Sequence, residues 1–210
     1  MIYLNLDKNF SPFGKSIAFE SFTFNGGEPH IKILEEIAAE EELTITTRIQ
    51  AFNDVGMLLI ATDALRRMGV KKIHLIIPYF PAARQDRVMV AGEALSVKVY
   101  ADLINAQNYQ SVTILDAHSE VTSALLDKVK SISNHNFVNY LVASQAIFLQ
   151  DEKDYVLIAP DGGALKKIYK LSQFMGGVPV VECSKMREVK TGKLSGFKVY
   201  ENDLEGKTCV

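Results

Sequence analysis

Apolar and polar residues alternate in Leu43-Thr-Ile-Thr-Thr-Arg-Ile49, a pattern that puts Leu43, Ile45 and Ile49 on one face of a half-buried strand. Residues 16–24 also have strand character and run into Asn25-Gly26-Gly27, a strong turn signal. From residue 53 the period lengthens. Asn53-Asp54 can cap a helix whose apolar positions Met57, Ile60, Ala61, Ala64 and Met68 recur at helical spacing, with Gly69 marking its end. Residues 73–77 form a continuous apolar strand closed by Pro78. After a polar loop, a second helix carries Leu95, Val99, Leu103 and Ile104. The same order recurs in a strand over residues 112–115 and a helix over 119–126. Strands without alternation, separated by helices, predict a parallel sheet covered on both faces.

After His135 the pattern restarts. It predicts a helix over 137–149, a buried strand over 155–159, a helix over 163–175 and a strand over 178–183, then a polar segment over 184–195. The change places a domain boundary within 136–145 and divides the chain into residues 1–140 and 141–210. Residues 206–210 read as the opening of a further strand, so the second domain is expected to be incomplete.

Composition narrows the function classes. With 210 residues, 48% of them hydrophobic, the chain can bury one large core or two small ones. Its 25 acidic and 23 basic residues leave a formal charge of −2, which argues against a generic nucleic-acid binder. No apolar stretch approaches the roughly 20 residues that a membrane-spanning helix needs. The first residues lack the basic and apolar regions of a signal peptide. Cys183 and Cys209, the two cysteines, sit in or beside apolar runs and are expected to be buried thiols in a reducing compartment. The expectation is a cytoplasmic globular protein that binds neither nucleic acid nor membrane.

Two segments mimic a phosphate-binding loop. Residues 9–16 and 201–208 both end in Gly-Lys-Ser/Thr, but each lacks the first glycine and the strand-to-helix setting that would aim its amides at phosphate. Nor do His30, His74, His118 and His135 have metal-ligand spacing. Loops at the C-terminal ends of predicted parallel strands are richer, and that edge is where ligands bind in open α/β sheets. In Pro78-Tyr-Phe-Pro-Ala-Ala-Arg-Gln-Asp-Arg87, two arginines flank an amide and a carboxylate, suited to gripping phosphates or to forming a solvated ion-pair loop. In Leu115-Asp-Ala-His118, the histidine is a metal ligand, a general base or a core histidine. In Ala159-Pro-Asp-Gly-Gly163, Asp161 is a functional acid or a helix cap. Lys185-Met-Arg187, with Lys190 and Lys193 nearby, reads as a mobile basic loop. Together these describe a site for a polyphosphate and a divalent metal.

The order of these pieces resembles the ribose-phosphate pyrophosphokinase (phosphoribosyl pyrophosphate synthetase) family. Asp63-Ala-Leu-Arg-Arg67, Ile76-Ile-Pro-Tyr-Phe80 and Ala83-Arg-Gln-Asp-Arg87 carry the resemblance most specifically. Phe24-Asn-Gly-Gly-Glu28 is similar to the family's Phe-Ser-Asp-Gly-Glu loop, and Glu93-Ala-Leu-Ser-Val-Lys98 to its Glu-Pro-Ile-Ser/Thr-Ala-Lys. Leu115-Asp-Ala-His118, Ala159-Pro-Asp-Gly-Gly163 and Lys185-x-Arg187 are similar to its Asp-Leu-His, Ser-Pro-Asp-x-Gly-Gly and Lys-Arg-Arg.

The resemblance implies an α/β fold of two phosphoribosyltransferase-like domains, with parallel sheets flanked by helices, assembling into dimers and hexamers. It implies transfer of the β,γ-diphosphoryl group of ATP to the 1-hydroxyl of ribose 5-phosphate, with Mg2+ as cofactor. Carried over, Arg84 and Gln85 bind ATP, while Phe24, Gly26 and Glu28 form the adenine loop offered to a neighbouring subunit. His118 and Asp161 belong to the magnesium site. Lys185 is the catalytic lysine, and Arg187 helps hold charge at the transfer site.

Three departures stand against that pattern. Gly26 replaces an Asp, Val88-Met-Val-Ala-Gly92 replaces a stretch rich in Arg and Lys, and the sequence stops before the Thr-Gly-Gly-Thr loop that grips the acceptor phosphate. The chain by itself is therefore expected to turn over little. The alternatives are the same chemistry on another acceptor such as ADP-ribose, or a non-catalytic regulatory subunit. Retention of His118, Asp161, Lys185 and Arg187 argues against the second.

Overall fold

The structure, a computed structural model, describes residues 2–38, 41–144, 155–187, 194–201 and 204–210. The chain divides into two compact units, Met1–Ser133 and Asn134–Val210.

The first unit opens with β1 (Ile2–Asn5), the antiparallel pair β2 (Phe19–Thr23) and β3 (Pro29–Ile33), and β4 (Glu42–Thr46). It continues through α1 (Phe52–Arg67), β5 (Lys72–Ile77), α2 (Ser96–Asn105), β6 (Ser111–Leu115), α3 (Glu120–Leu125) and β7 (Val129–Ile132). A five-stranded sheet has the order β1-β4-β5-β6-β7, and every neighbouring pair is parallel. The apolar run of β5 is central in that order, so Ile73, Leu75 and Ile77 are buried. Leu4, Leu43, Ile45 and Ile114 of neighbouring strands join the same core, with Leu58 and Leu65 of α1 and Ile104 of α2.

Three expectations are corrected here. β4 is buried on both faces rather than one: Thr44 and Thr46 are as inaccessible as Leu43 and Ile45. Thr46 survives burial because its hydroxyl donates to Asn5 Oδ1 across the β1–β4 pair at 2.6 Å. The inward face of α1 is Val55, Leu58, Ala61, Thr62 and Leu65, with Met57, Ile60, Ala64 and Met68 only partly buried beside it. In α2 the inward face is Val97, Ala101 and Ile104, and Val99 is exposed. Leu95 is the helix's N-cap residue, so counting the helical period from it rotates the predicted face away from the core. The start of α1 is anchored by Asp54, whose Oδ2 accepts the Gln50 and Ala51 amides, each at 2.8 Å.

In the second unit, α4 (His135–Ala143) is followed by β8 (Tyr155–Ala159), α5 (Leu165–Phe174), β9 (Val180–Arg187), β10 (Leu194–Val199) and β11 (Thr208–Cys209). Its sheet has the order β10-β9-β8-β11, with β8 parallel to both neighbours and β10 antiparallel to β9. Both units thus have the α/β class with parallel strands and flanking helices. The helix expected over 137–149 is α4 as far as Ala143, and positions 145–150 lie outside the described residues. The strand expected to end at residue 183 instead runs to Arg187. β10 returns against it, with Lys185 opposite Phe197 and Cys183 opposite Val199, and so satisfies its backbone. Lys185 and Arg187 therefore belong to a strand rather than to a mobile loop. Cys183 is buried as expected, but Cys209 is exposed.

Candidate functional site

In the first unit, the C-terminal ends of β5 and β6 open side by side. The Leu115 amide donates to Pro78 O at 2.9 Å, which ties the end of β6 to the start of the loop after β5, and the Asp116 amide donates to Ile132 O at the end of β7 at 2.7 Å. The loop after β5 turns sharply at Ala82, whose φ is +55°, and the Gln85 amide closes the turn on Ala82 O at 2.8 Å. Phe80 and Ala83 are buried under the turn, while Arg84, Gln85 and Arg87 stand exposed on it. The side chains of Arg84 and Gln85 make no hydrogen bond or ion pair among the described residues, so their donors face solvent. Gln85 is held from behind by its carbonyl, which accepts the Val97 amide of α2 at 3.4 Å.

Asp86 behaves differently from its neighbours. Its side chain is only 8% accessible, although Arg87 beside it is 74% accessible, and the Arg87 Nε–H reaches Asp86 Oδ1 at 3.5 Å. The Ser119 hydroxyl holds the Asp86 carboxyl below the usual carboxylate range, against the upward push of burial, and the Arg87 and His118 charges add to the lowering. The Ser119 Oγ is buried and finds no partner of good hydrogen-bond geometry, so its contact with Asp86 is a poorly aligned electrostatic one. Asp86 thereby lies within electrostatic reach of the His118 loop after β6. His118 itself is exposed, which removes the core-histidine alternative.

At the tip of the β2–β3 hairpin, Phe24, Gly26 and Glu28 are all exposed. The Phe24 amide donates to Glu28 O at 2.9 Å and the Gly27 amide to Phe24 O at 2.8 Å. Gly27 has a φ of +96°, which suits glycine. The Glu28 carboxylate folds over Gly26 so closely that a Cβ there would lie 2.5 Å from Glu28 Oε2. An aspartate at position 26 would require that flexible carboxylate to swing aside. Phe22, Phe24 and His30 cluster on the same hairpin, with the two phenylalanine rings edge to face at 4.8 Å.

The second unit brings Asp161 and Lys185 together. Asp161 Oδ1 accepts the Gly163 and Ala164 amides at 3.1 and 3.2 Å, fixing the turn that leads from β8 into α5. Its Oδ2 lies 3.9 Å from Lys185 Nζ. Lys185 is half-buried on β9, and Arg187 closes that strand opposite Leu194. Asp161 is thus a turn-fixing acid and the ion partner of a lysine at once.

Residues 15–107 match the family model of the N-terminal domain of ribose phosphate pyrophosphokinase. Over 193 residues the chain is 30% identical to a ribose-phosphate pyrophosphokinase of Methanothermobacter thermautotrophicus, a match that covers 91% of this chain and 64% of that protein. In both sequence and fold the chain is similar to the ribose-phosphate pyrophosphokinase family. A second family member, the ribose-phosphate pyrophosphokinase of Helicobacter hepaticus, is 31% identical over 188 residues, covering 89% of this chain and 59% of the relative. The chain therefore spans about three-fifths of the length of the curated relatives it matches. Its fold is similar to the crystal structure of phosphoribosylpyrophosphate synthetase from Mycobacterium smegmatis, with a TM-score of 0.76 and 25% identity over 93% of this chain and 62% of that one.

The matched pyrophosphokinase segment includes Phe24, Gly26, Glu28, Arg84 and Gln85, while His118, Asp161, Lys185 and Arg187 lie beyond it. Sequence reasoning passed over Asp86 and Ser119 as site residues. Asp86 is a carboxylate between two cations in the most specific motif of the chain, and that placement was the available signal. Ser119 carries no such signal, because its role depends on two loops meeting in space. Among the described residues no group of three or more His, Cys, Asp or Glu side chains converges. A magnesium ion takes oxygen ligands, keeps several waters and is commonly bound by one or two protein carboxylates together with substrate phosphates. Asp161 Oδ2, left unused by the turn amides, is an oxygen of that type.

Proposed function

We propose that this chain carries the ATP-side machinery of a ribose-phosphate diphosphokinase, which moves the β,γ-diphosphoryl group of ATP to the 1-hydroxyl of ribose 5-phosphate. The acceptor hydroxyl attacks the β-phosphorus, the bond from that phosphorus to the oxygen bridging the α-phosphate breaks, and phosphoribosyl pyrophosphate and AMP result. One observation carries the reading. Arg84, Gln85 and Arg87 stand exposed at the C-terminal edge of a parallel sheet, on a loop whose start is tied to the end of β6 by the Leu115–Pro78 backbone bond. Exposed guanidinium groups on a fixed turn are matched to phosphate oxygens, to which they donate charge-assisted and bidentate hydrogen bonds.

In this reading Arg84 and Gln85 bind ATP. Phe24, Gly26 and Glu28 complete the adenine pocket of a neighbouring subunit in a homo-oligomer. His118 and Asp161 hold magnesium, which when bound neutralises phosphate charge and polarises the transferred group. Lys185 and Arg187 supply fixed positive charge where negative charge develops on the leaving oxygen, a contribution larger in the transition state than in the ground state.

The test measures acceptor-dependent AMP release with ribose 5-phosphate and ADP-ribose supplied in parallel, together with ATP affinity by calorimetry. Arg84→Ala is expected to cost roughly 1.5–3 kcal/mol of ATP binding, as loss of a charge-assisted contact. Lys185→Ala, made in a protein extended through the acceptor-phosphate loop, is expected to lower kcat much more than ATP affinity. Unchanged affinity in Arg84→Ala removes the β5 loop from the nucleotide site. Faster turnover of ADP-ribose than of ribose 5-phosphate moves the assignment to the second acceptor.

A further inference from the structure

The arm from Arg84 to Gly92 has little apolar anchorage beyond its base. Val88, Met89 and Val90 follow Arg87, and all three are exposed, so no core contact fixes this stretch. The side-chain hydrogen bonds to the backbone of this stretch come from Glu93. Glu93 Oε2 accepts the Met89 amide at 2.8 Å and the Val90 amide at 3.2 Å, and the Glu93 amide returns a bond to Val90 O at 3.3 Å. The turn passes through Gly92 at a φ of +94°. A single carboxylate oxygen thus clasps two successive amides at the far end of the arm, while the Val97–Gln85 bond holds the near end. Arg84, Gln85 and Arg87 lie on or just before the segment between these two fastenings.

We propose that Glu93 is a positioning residue for anion recognition: its carboxylate locks the 84–92 arm so that Arg84, Gln85 and Arg87 are displayed in one arrangement before the ligand arrives. This rests on the reading of those side chains as the ATP-phosphate grip. Glu93 contributes through the backbone amides of Met89 and Val90 and does not itself meet the nucleotide. Ordering the arm in advance removes from binding the entropic cost of ordering it at the moment of association.

The experiment is an NMR titration of the 210-residue chain with ATP and magnesium, combined with amide exchange at Met89 and Val90. Glu93→Ala, Glu93→Gln and Arg84→Ala are compared with the unsubstituted chain. Glu93→Ala is expected to speed exchange at both amides about tenfold or more, and to weaken ATP binding about tenfold with the melting temperature unchanged. Glu93→Gln keeps one acceptor oxygen and is expected to recover most of both effects, which a purely electrostatic role would not allow. Faster exchange with unchanged affinity overturns the positioning role, as does weaker binding with unchanged exchange, which would make Glu93 a direct contact. ATP binding weakened by Arg84→Ala but untouched by Glu93→Ala overturns the positioning role alone. ATP binding indifferent to both substitutions overturns the nucleotide reading and the positioning role with it.

Discussion

The two units solve the same packing problem to different depths. In the first, a five-stranded parallel sheet draws Leu4, Leu43, Ile45, Leu75, Ile77 and Ile114 together at zero accessibility, under helices that bury Leu58 and Leu65 just as fully. In the second, Val156, Leu157, Ala159, Leu171, Val181 and Cys183 are the buried apolar residues among those described. Phe137, Tyr140, Met186, Phe197 and Tyr200 stand exposed there. Apolar area removed from water stabilises at roughly 25 cal/mol per Å², so the same class of fold holds less tightly where less of it is covered. The loop proposed to grip the nucleotide is carried by the deeper core, whereas the lysine proposed to act in the transition state is carried by the shallower one.

The largest expected effect separates the two cores. Leu75→Ala removes a side chain of zero accessibility from the middle of the first sheet and should cost about 2–5 kcal/mol. Phe197→Ser, at 60% accessibility on β10, should change stability by less than about 0.5 kcal/mol. Native-state hydrogen exchange gives both, and it should find β5 amides opening at higher free energy than those of β8. Equal protection in β5 and β8 would break the comparison.

Smaller effects sharpen it. Asp54 and Asp161 each hold two backbone amides at the approach to a helix, one in each unit. Replacing either by Ala should cost about 0.5–2 kcal/mol by the usual value of a cap, measured by denaturant titration. Because Asp161 also faces Lys185, Asp161→Ala should in addition change activity, while Asp54→Ala should not.

The smallest effect is a pH dependence confined to the first unit. The Arg48 guanidinium, bonded to Asp7 at 2.6 Å, holds the Asp7 carboxyl below its ordinary value of 3.8. A carboxyl whose folded value is depressed contributes its full stability above the unfolded value and loses it as the pH falls through the folded one. Asp7→Asn should therefore lower stability slightly at neutral pH and flatten part of its acid-side decline below about pH 4. An unchanged acid limb would show that the pair contributes nothing measurable, as many partly exposed pairs do.

Much of this arrangement was legible in the chain. Residues 73–77 and 155–159 announce themselves as buried strands because their apolar runs end at proline or just before it, and both are strands in the structure. β1 and β7 are only four residues long and were passed over: their pairing with β4 and β6 joins distant parts of the chain, and periodicity is local. The polar end of β9 was misread for the same reason, since Lys185 and Arg187 are held extended by β10, which no local pattern announces. Among the candidate site residues, Arg84 and Gln85 could be named because their motif is contiguous. The Asp86–Ser119 approach and the clasp of Glu93 on the Met89 and Val90 amides require geometry that spacing alone does not give.

The order of strands also sets an order of assembly. β2 and β3 meet across a short turn, with Thr23 opposite Pro29, and hairpins of that kind close within microseconds. β1 must instead wait for β4, because Ile2 pairs with Leu43, the longest chain closure between neighbours of the five-stranded sheet. Until that closure the flank of β4 that β1 covers is an open template, with unpaired backbone groups and an apolar face of Leu43 and Ile45 ready to accept a strand from another molecule. Refolding yield should therefore fall with protein concentration, and a chain lacking Ile2–Asn5 should aggregate most readily of all.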